Sequence, residues 1–124
     1  MARKAHPAGV HGEDLAARHL KRAGLKLLER NFQSFAGEID LIALDGDEIV
    51  FVEVKTRADN AFGEPAEAVT PAKQLQMCRC ALEYCRRHGL HDPSCRFDVI
   101  AILAPPDAEP RITHFRDAFP FQSH

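Results

Sequence analysis

The sequence predicts an α/β fold: a mixed β-sheet flanked by helices, in the order α-β-β-β-α-β-β. Three observations carry this expectation. Two segments show helical periodicity, Gly12 to Gly24 and Pro71 to His88. Between them an Asp-Gly-Asp turn joins two strongly β-forming stretches into a hairpin. A second apolar, β-branched stretch follows the second helix, so a helical crossover should place it parallel to the hairpin's second arm.

Taken in order, Gly12 to Gly24 carries Leu15, Ala16, His19, Leu20 and Ala23 on one stripe and Asp14, Arg18, Lys21 and Arg22 on the other, with Gly24 as its stop. Glu13 falls at the margin of the apolar stripe, beside Ala16, Ala17 and Leu20. Leu25 to Phe32 reads as a first short strand. Glu38 to Leu44 and Glu48 to Lys55 are the hairpin arms, and the second is apolar enough to be central and covered on both faces. In Pro71 to His88 the stripe is Leu75, Cys78, Ala81, Leu82 and Cys85; Thr70 suits the N-cap, Pro71 the first turn, and Gly89 the end. Arg96 to Leu103 is a buried strand, Pro105-Pro106 breaks the chain, and Arg111 to Phe119 is a final edge strand. With no repeat or linker, the 124 residues read as one domain, residues 104–124 forming an edge strand or tail.

Charge and composition exclude several classes. Sixteen Lys and Arg against eighteen Asp and Glu leave a formal net charge of -2, so bulk attraction to nucleic acid or an anionic membrane is not expected. Any nucleic-acid contact needs a local patch. No stretch approaches the roughly 20 apolar residues of a membrane span, and no apolar run follows the basic residues of Met1 to Val10; the expectation is a cytoplasmic protein without a membrane partner. Cys78, Cys80, Cys85 and Cys95 form no C-x-x-C and read as free thiols.

The informative residues are the charges set into the hairpin. Glu53 and Lys55 interrupt an otherwise apolar strand, and burying charge without a partner is costly. Residues i and i+2 share a face, so Glu53 and Lys55 project together with Phe51 behind them. A two-residue loop, whether Asp45-Gly46 or Gly46-Asp47, adds Glu38 and Asp40 to that face, as does a four-residue loop. Only an odd-length loop or a bulge separates them. Carboxylates gathered in this way call for a cation. Mg²⁺ is commonly held by one or two carboxylates plus waters and a phosphate, which Asp40 and Glu53 could supply, while Lys55 stabilises charge developing on a phosphoryl group. The chemistry expected is metal-assisted phosphodiester hydrolysis, with Thr56, Arg57 and Lys73 as phosphate contacts.

Asp40 followed across the hairpin by Glu53-Val54-Lys55 resembles the D…E-x-K core of the PD-(D/E)XK nuclease superfamily. More narrowly, the chain resembles the YraN family of small bacterial nuclease-like proteins. The matching segments are Gly12-Glu13, Arg30-Asn31, Gly37 to Ile42, Phe51 to Arg57, Lys73 and Arg96 to Val99, spanning about residues 9 to 103. The resemblance implies a restriction-endonuclease-like core and a Mg²⁺- or Mn²⁺-dependent endonuclease acting on DNA, with branched or structured DNA suggested by the Holliday-junction resolvases that the superfamily includes. It implies that Asp40, Glu53 and the Val54 carbonyl are metal ligands, that Lys55 is the catalytic lysine, and that Glu13 is the helix-borne acid acting on the metal. It also matches Gln74 to a helix Gln near the nucleic acid. Ile39 stands where the superfamily's name has Pro.

Other readings stay open beside these. Glu38 is either a supporting group of the site or a solvated acid at a strand start. Glu13 is equally a favourable charge near a helix N-terminus. The polar stretch Asp59 to Glu67 is a lid or a plain connection. Cys85, His88, His91 and Cys95 could ligate zinc, with non-standard spacing. For the whole chain, the alternative to an enzyme is a nucleic-acid-binding module with little turnover, and a third reading is a protein-interaction domain. A nuclease cutting two strands is often a homodimer, and nothing in the sequence marks an interface.

Overall fold

Local sequence signals set the order of elements in the computed structural model, which describes residues 7–58 and 69–122, with side chains from Gly12 onward. Helix α1 (Pro7–Arg22) precedes strands β1 (Lys26–Ser34), β2 (Gly37–Asp45) and β3 (Glu48–Arg57). Helix α2 (Pro71–Arg87) follows, then β4 (Cys95–Leu103) and β5 (Arg111–Phe115). This is the α-β-β-β-α-β-β order. The strands form one sheet in the order β1-β2-β3-β4-β5, antiparallel except for the parallel β3–β4 pair. No described helix is long and apolar enough to cross a membrane. The stretch Asp59 to Glu67 lies outside the described residues.

The punctuation behaves as the residue types require. Thr70 caps α2 by accepting from the Lys73 N–H at 3.1 Å, with Pro71 following it. Both helices close the same way: Gly24 and Gly89 take positive φ, and the next residue's N–H reaches back, Leu25 to Leu20 O and Leu90 to Cys85 O, each at 2.9 Å. The hairpin turn is Gly46-Asp47, flanked by the Asp45–Glu48 pair, and Gly46 supplies the positive φ that a tight hairpin needs.

The sheet is buried on both sides. Toward α1, Leu41, Ala43, Val50, Val52, Ile100 and Ile102 pack with Ala16, Ala17 and Leu20. Toward α2, Ile42, Phe51, Phe97 and Val99 pack with Met77, Cys78, Ala81 and Tyr84. Strand β3 contributes to both layers, as a doubly covered central strand must.

Several boundaries and faces differ from the sequence expectation. Helix α1 begins at Pro7 instead of Gly12, and β1 runs Lys26–Ser34. Strand β5 stops at Phe115, because Asp117 turns with φ 52° and sends Phe119 into the core against Phe97. The buried face of α2 is rotated: Met77, Cys80 and Tyr84 lie inside, whereas Leu82 is half exposed. The large Tyr84 ring sets that rotation by packing edge-on against both Phe32 and Phe51.

The parity expected along β2 breaks at Asp40. Ile39 and Ile42 both join the α2 layer, although three residues apart, while Leu41 joins the α1 layer. Opposite this point, Asn31 in β1 adopts φ 53°, and the regular pairing resumes at Phe32–Ile39. A left-handed residue turns the chain over, and Asn tolerates that conformation better than most. Glu38 therefore does not share a face with Asp40 and Glu53.

Beneath the other end of the sheet lies a polar network. Asp98, wholly buried on β4, accepts from Arg96 Nε at 2.9 Å, Arg96 Nη2 at 3.0 Å and the Asp117 N–H at 3.0 Å, and lies 2.7 Å from His114 Nε2. Arg96 also reaches Asp45 and Glu48, and His114 meets His19 of α1 at 3.1 Å. Buried charge is tolerated here because every acceptor is satisfied.

Candidate functional site

The C-terminal end of β3 carries the site. Beyond the Leu41–Val52 pair the ladder gives way, and the Val54 N–H donates to Asp40 Oδ2 at 2.8 Å. This contact fixes Asp40 beside Glu53. Glu53 is only 5% exposed, and its carboxylate is spanned by two lysines: Lys55 Nζ at 3.4 Å from Oε2, and Lys73 Nζ, from the first turn of α2, at 3.5 Å from Oε1. Neither lysine makes a hydrogen bond with it that satisfies Oε1. Among the described residues, two buried side-chain polar atoms lack a hydrogen-bond partner, Glu53 Oε1 and Arg57 Nε. Both sit at this strand end.

The acid pair is electrostatically tense. Burial, and then the Glu53 charge, push the Asp40 carboxyl up to about 7 from 3.8, while the Val54 N–H and Lys73 oppose the rise. The charge of Glu13 adds to it, which places the helix acid within electrostatic reach of Asp40. Burial also raises Glu13, against the pull of Asn31 and Arg30. With its amide nitrogen turned toward the acids, Asn31 donates to Glu13 Oε1 at 3.3 Å and Glu38 Oε2 at 2.6 Å. Arg30 bonds Asp14 at 2.7 Å and stands 4.0 Å from Glu13.

Close packing of α1 brings Glu13 here. A Cβ built on Gly12 meets Thr56 Oγ1 at 2.1 Å and Thr56 Cβ at 3.3 Å. Rotating Thr56 relieves the first contact but not the second. Gly12→Val is accordingly expected to destabilise the protein by about 1–3 kcal/mol, outweighing the few tenths of a kcal/mol (roughly 0.3–0.5) of helix propensity that replacing Gly with Val recovers. Chemical denaturation of Gly12→Val, Thr56→Ala and the double variant checks this. A double variant no more stable than the additive sum would dismiss the contact as the cause.

Placed against the sequence expectation, Asp40, Glu53, Val54, Lys55 and Lys73 come together, and Glu13 approaches from α1. Thr56 meets α1, and Arg57 presents an unpartnered buried nitrogen. Gln74 is occupied elsewhere: its Nε2 donates to Val69 O at 3.1 Å and its Oε1 accepts from Gln122 Nε2 at 2.7 Å, tying the C-terminal segment to α2. Glu38 supports Glu13 through Asn31. The role of Asn31 was missed, although an Asn set within a strand is itself a signal for a positive-φ residue.

A hard divalent cation suits this donor set. Asp40 and Glu53 offer oxygen donors, Glu53 Oε1 has no hydrogen-bond donor, and a cation would offset both the burial and the Glu53 repulsion that hold Asp40 up. Among the described residues no three His, Cys, Asp or Glu side chains form a cluster that could hold a metal by themselves. That applies equally to Cys85, His88, His91 and Cys95, whose thiols are free and whose His88 ring packs on Tyr84 at 4.2 Å.

Fold and site together define a class: an α/β protein with a mixed five-stranded sheet and an acid pair, Glu53 buried and Asp40 half-buried, flanked by lysines where β2 and the end of the central strand meet. Residues 12–102 match the model of Uncharacterised protein family UPF0102, and the chain belongs to that family. A UPF0102 protein of Rhodococcus jostii (strain RHA1) is 52% identical over 111 residues, covering 90% of this chain and 94% of the relative. One from Geobacter sulfurreducens is 51% identical over 112 residues, covering 90% and 87%. Another, from Symbiobacterium thermophilum, is 46% identical over 111 residues, covering 90% and 94%.

Proposed function

We propose that this chain is a divalent-metal-dependent nuclease of the PD-(D/E)XK type, close to the YraN family, that hydrolyses phosphodiester bonds in DNA. The observation that carries the reading is the clamp of Asp40 against buried Glu53 by the Val54 N–H within the Asp40…Glu53-Val54-Lys55 motif, at a strand end where, among the described residues, Glu53 Oε1 and Arg57 Nε lack a hydrogen-bond partner. Buried polar groups without partners are rare, and their concentration at one strand end points to absent partners of both charges. A cation answers Glu53, and a phosphate answers Arg57.

Asp40, Glu53 and the Val54 carbonyl would hold Mg²⁺ or Mn²⁺, with Glu13 adding charge from α1. The metal supplies Lewis-acid charge at the scissile phosphate. The chain's own residues do the remainder. Lys55, released from Glu53, presents its ammonium to the phosphoryl oxygens as negative charge grows on them. Arg57 and Lys73 anchor the backbone phosphates, and Thr56 seats α1 so that Glu13 stays over the pair. A second reading is a nucleic-acid-binding module of the same fold with little turnover. It is favoured by the two lysines that already span the Glu53 carboxylate, Lys55 Nζ at 3.4 Å and Lys73 Nζ at 3.5 Å.

Cleavage of linear, single-stranded and branched DNA with Mg²⁺ or Mn²⁺ tests the proposal, with zinc-free protein and the variants Asp40→Ala, Glu53→Ala and Lys55→Ala. Wild type is expected to cut and each variant to fail. Cleavage that survives all three substitutions would remove the site, and salt-sensitive binding without any cleavage would leave the module reading. Sedimentation of the protein with and without DNA decides whether two copies act together.

A further inference from the structure

The β1–β2 turn carries a phenylalanine that nothing in the fold accounts for. Phe35 is 99% exposed. Its backbone, by contrast, is held firmly. The Phe35 N–H donates to Glu83 Oε1 at 3.0 Å, the Ala36 carbonyl accepts from Gln76 Nε2 at 2.8 Å, and the Ala36 N–H donates to Ser34 Oγ at 3.0 Å. Gly37 is pressed so close to Gln76 that a Cβ would lie 2.0 Å from Nε2. Glu83 is a buried carboxylate, also paired with Arg87, and it holds the tip of a turn. Exposed turn tips are ordinarily mobile and polar. This one is rigid and apolar.

Its position matters as much as its rigidity. Because β2 runs antiparallel to β3, the turn before Gly37 lies at the same end of the sheet as Lys55 and Arg57. Phe35 is five residues before Asp40, which limits their separation along the strand to roughly 17 Å at about 3.3 Å per residue. That is the length of about five base steps of one DNA strand. An aromatic ring on a backbone that is already held has only two side-chain torsions to lose on stacking against a base, whereas paired bases inside an intact duplex offer no free face.

Resting on the nuclease reading above, we propose that Phe35 is a stacking wedge that engages an unpaired or branch-point base and so directs the site to DNA whose duplex is interrupted. Cleavage then falls within about five nucleotides of the interruption.

The test measures binding to a branched DNA and to intact duplex of the same sequence, each with 2-aminopurine at the branch position, in a Lys55→Ala background that keeps the acid pair and leaves the probe uncut. Phe35→Ala is expected to lower the branched-to-duplex affinity ratio by about tenfold and to abolish the fluorescence change at the branch; Phe35→Trp should retain both. A ratio and fluorescence response unaffected by Phe35→Ala would overturn the wedge while leaving the nuclease reading standing. Equal weakening on both DNAs would also overturn it, as would a change in oligomeric state without a change in DNA binding. If protein with both Phe35 and Lys55 intact binds neither DNA, the nuclease reading falls and the wedge falls with it.

Discussion

Asp40→Asn is expected to abolish cleavage and, at the same time, to make the metal-free protein more stable. The two effects have one cause. Burial and the Glu53 charge raise the Asp40 carboxyl to about 7 in the folded chain, from 3.8. A folded value above the unfolded one means that folding favours the protonated acid. The penalty is absent below about pH 4, grows as pH rises toward 7, and is complete above it, where it amounts to a few kcal/mol. Asparagine keeps the shape, can no longer carry the charge and so removes the penalty. Thermal unfolding in EDTA at pH 8 should show Asp40→Asn above wild type, with the gap narrowing as pH is lowered toward about 4. Adding Mg²⁺ should stabilise wild type and not the variant. Loss of metal-dependent charge at the phosphate is expected to lower the cleavage rate by on the order of a thousandfold or more. A variant equal to wild type in stability at pH 8, or still able to cut, would mean that Asp40 and Glu53 are not a strained metal-binding pair.

The largest stability effect is expected at Asp98, which pairs across β4 with Val52 but whose side chain belongs to a separate network. Here burial, which by itself would raise the acid, is overcome by His114, Arg96 and the Asp117 N–H, which hold Asp98 down to about 2 from 3.8. The sign is opposite to that of Asp40. Its contribution is fully present above the unfolded value, near pH 4, and is lost as pH falls through about 2; the shift corresponds to about 2–3 kcal/mol. Asp98→Ala leaves the largely covered Arg96 guanidinium without its bidentate acceptor and releases His114 and the Asp117 turn, so a loss of about 3–5 kcal/mol is expected in urea unfolding at pH 7. Asp98→Asn should recover only part of it. If Asp98→Ala unfolded within about 1 kcal/mol of wild type, the network would be incidental.

These two acids show how unevenly the molecule can be read from its chain. Asp40, Glu53 and Lys55 were legible because a two-residue turn and the alternation of strand side chains are local: Gly46 permits the turn, and the i, i+2 rule does the rest. The network of Asp98 is not legible in its run of apolar residues, because its partners His114 and Asp117 arrive from a strand and turn sixteen or more residues away. Glu38 was misplaced for a local reason with a tertiary consequence, the single left-handed Asn31 that turns β1 over opposite Asp40. Gln74 looked available until the C-terminal segment brought Gln122 onto it.

By itself the sequence determined the order of elements, the hairpin, the helix caps and the gathering of Asp40, Glu53 and Lys55 on one strand end. All of these follow from periodicity and turn chemistry acting within a few residues. Only the tertiary structure decided that Glu13 approaches the pair over Gly12, that Lys73 reaches Glu53 from the opposite layer, and that Phe35 stands rigid and uncovered at the same end. Those placements depend on how two helices settle on opposite faces of a sheet, and that is set by side-chain volumes meeting across the core.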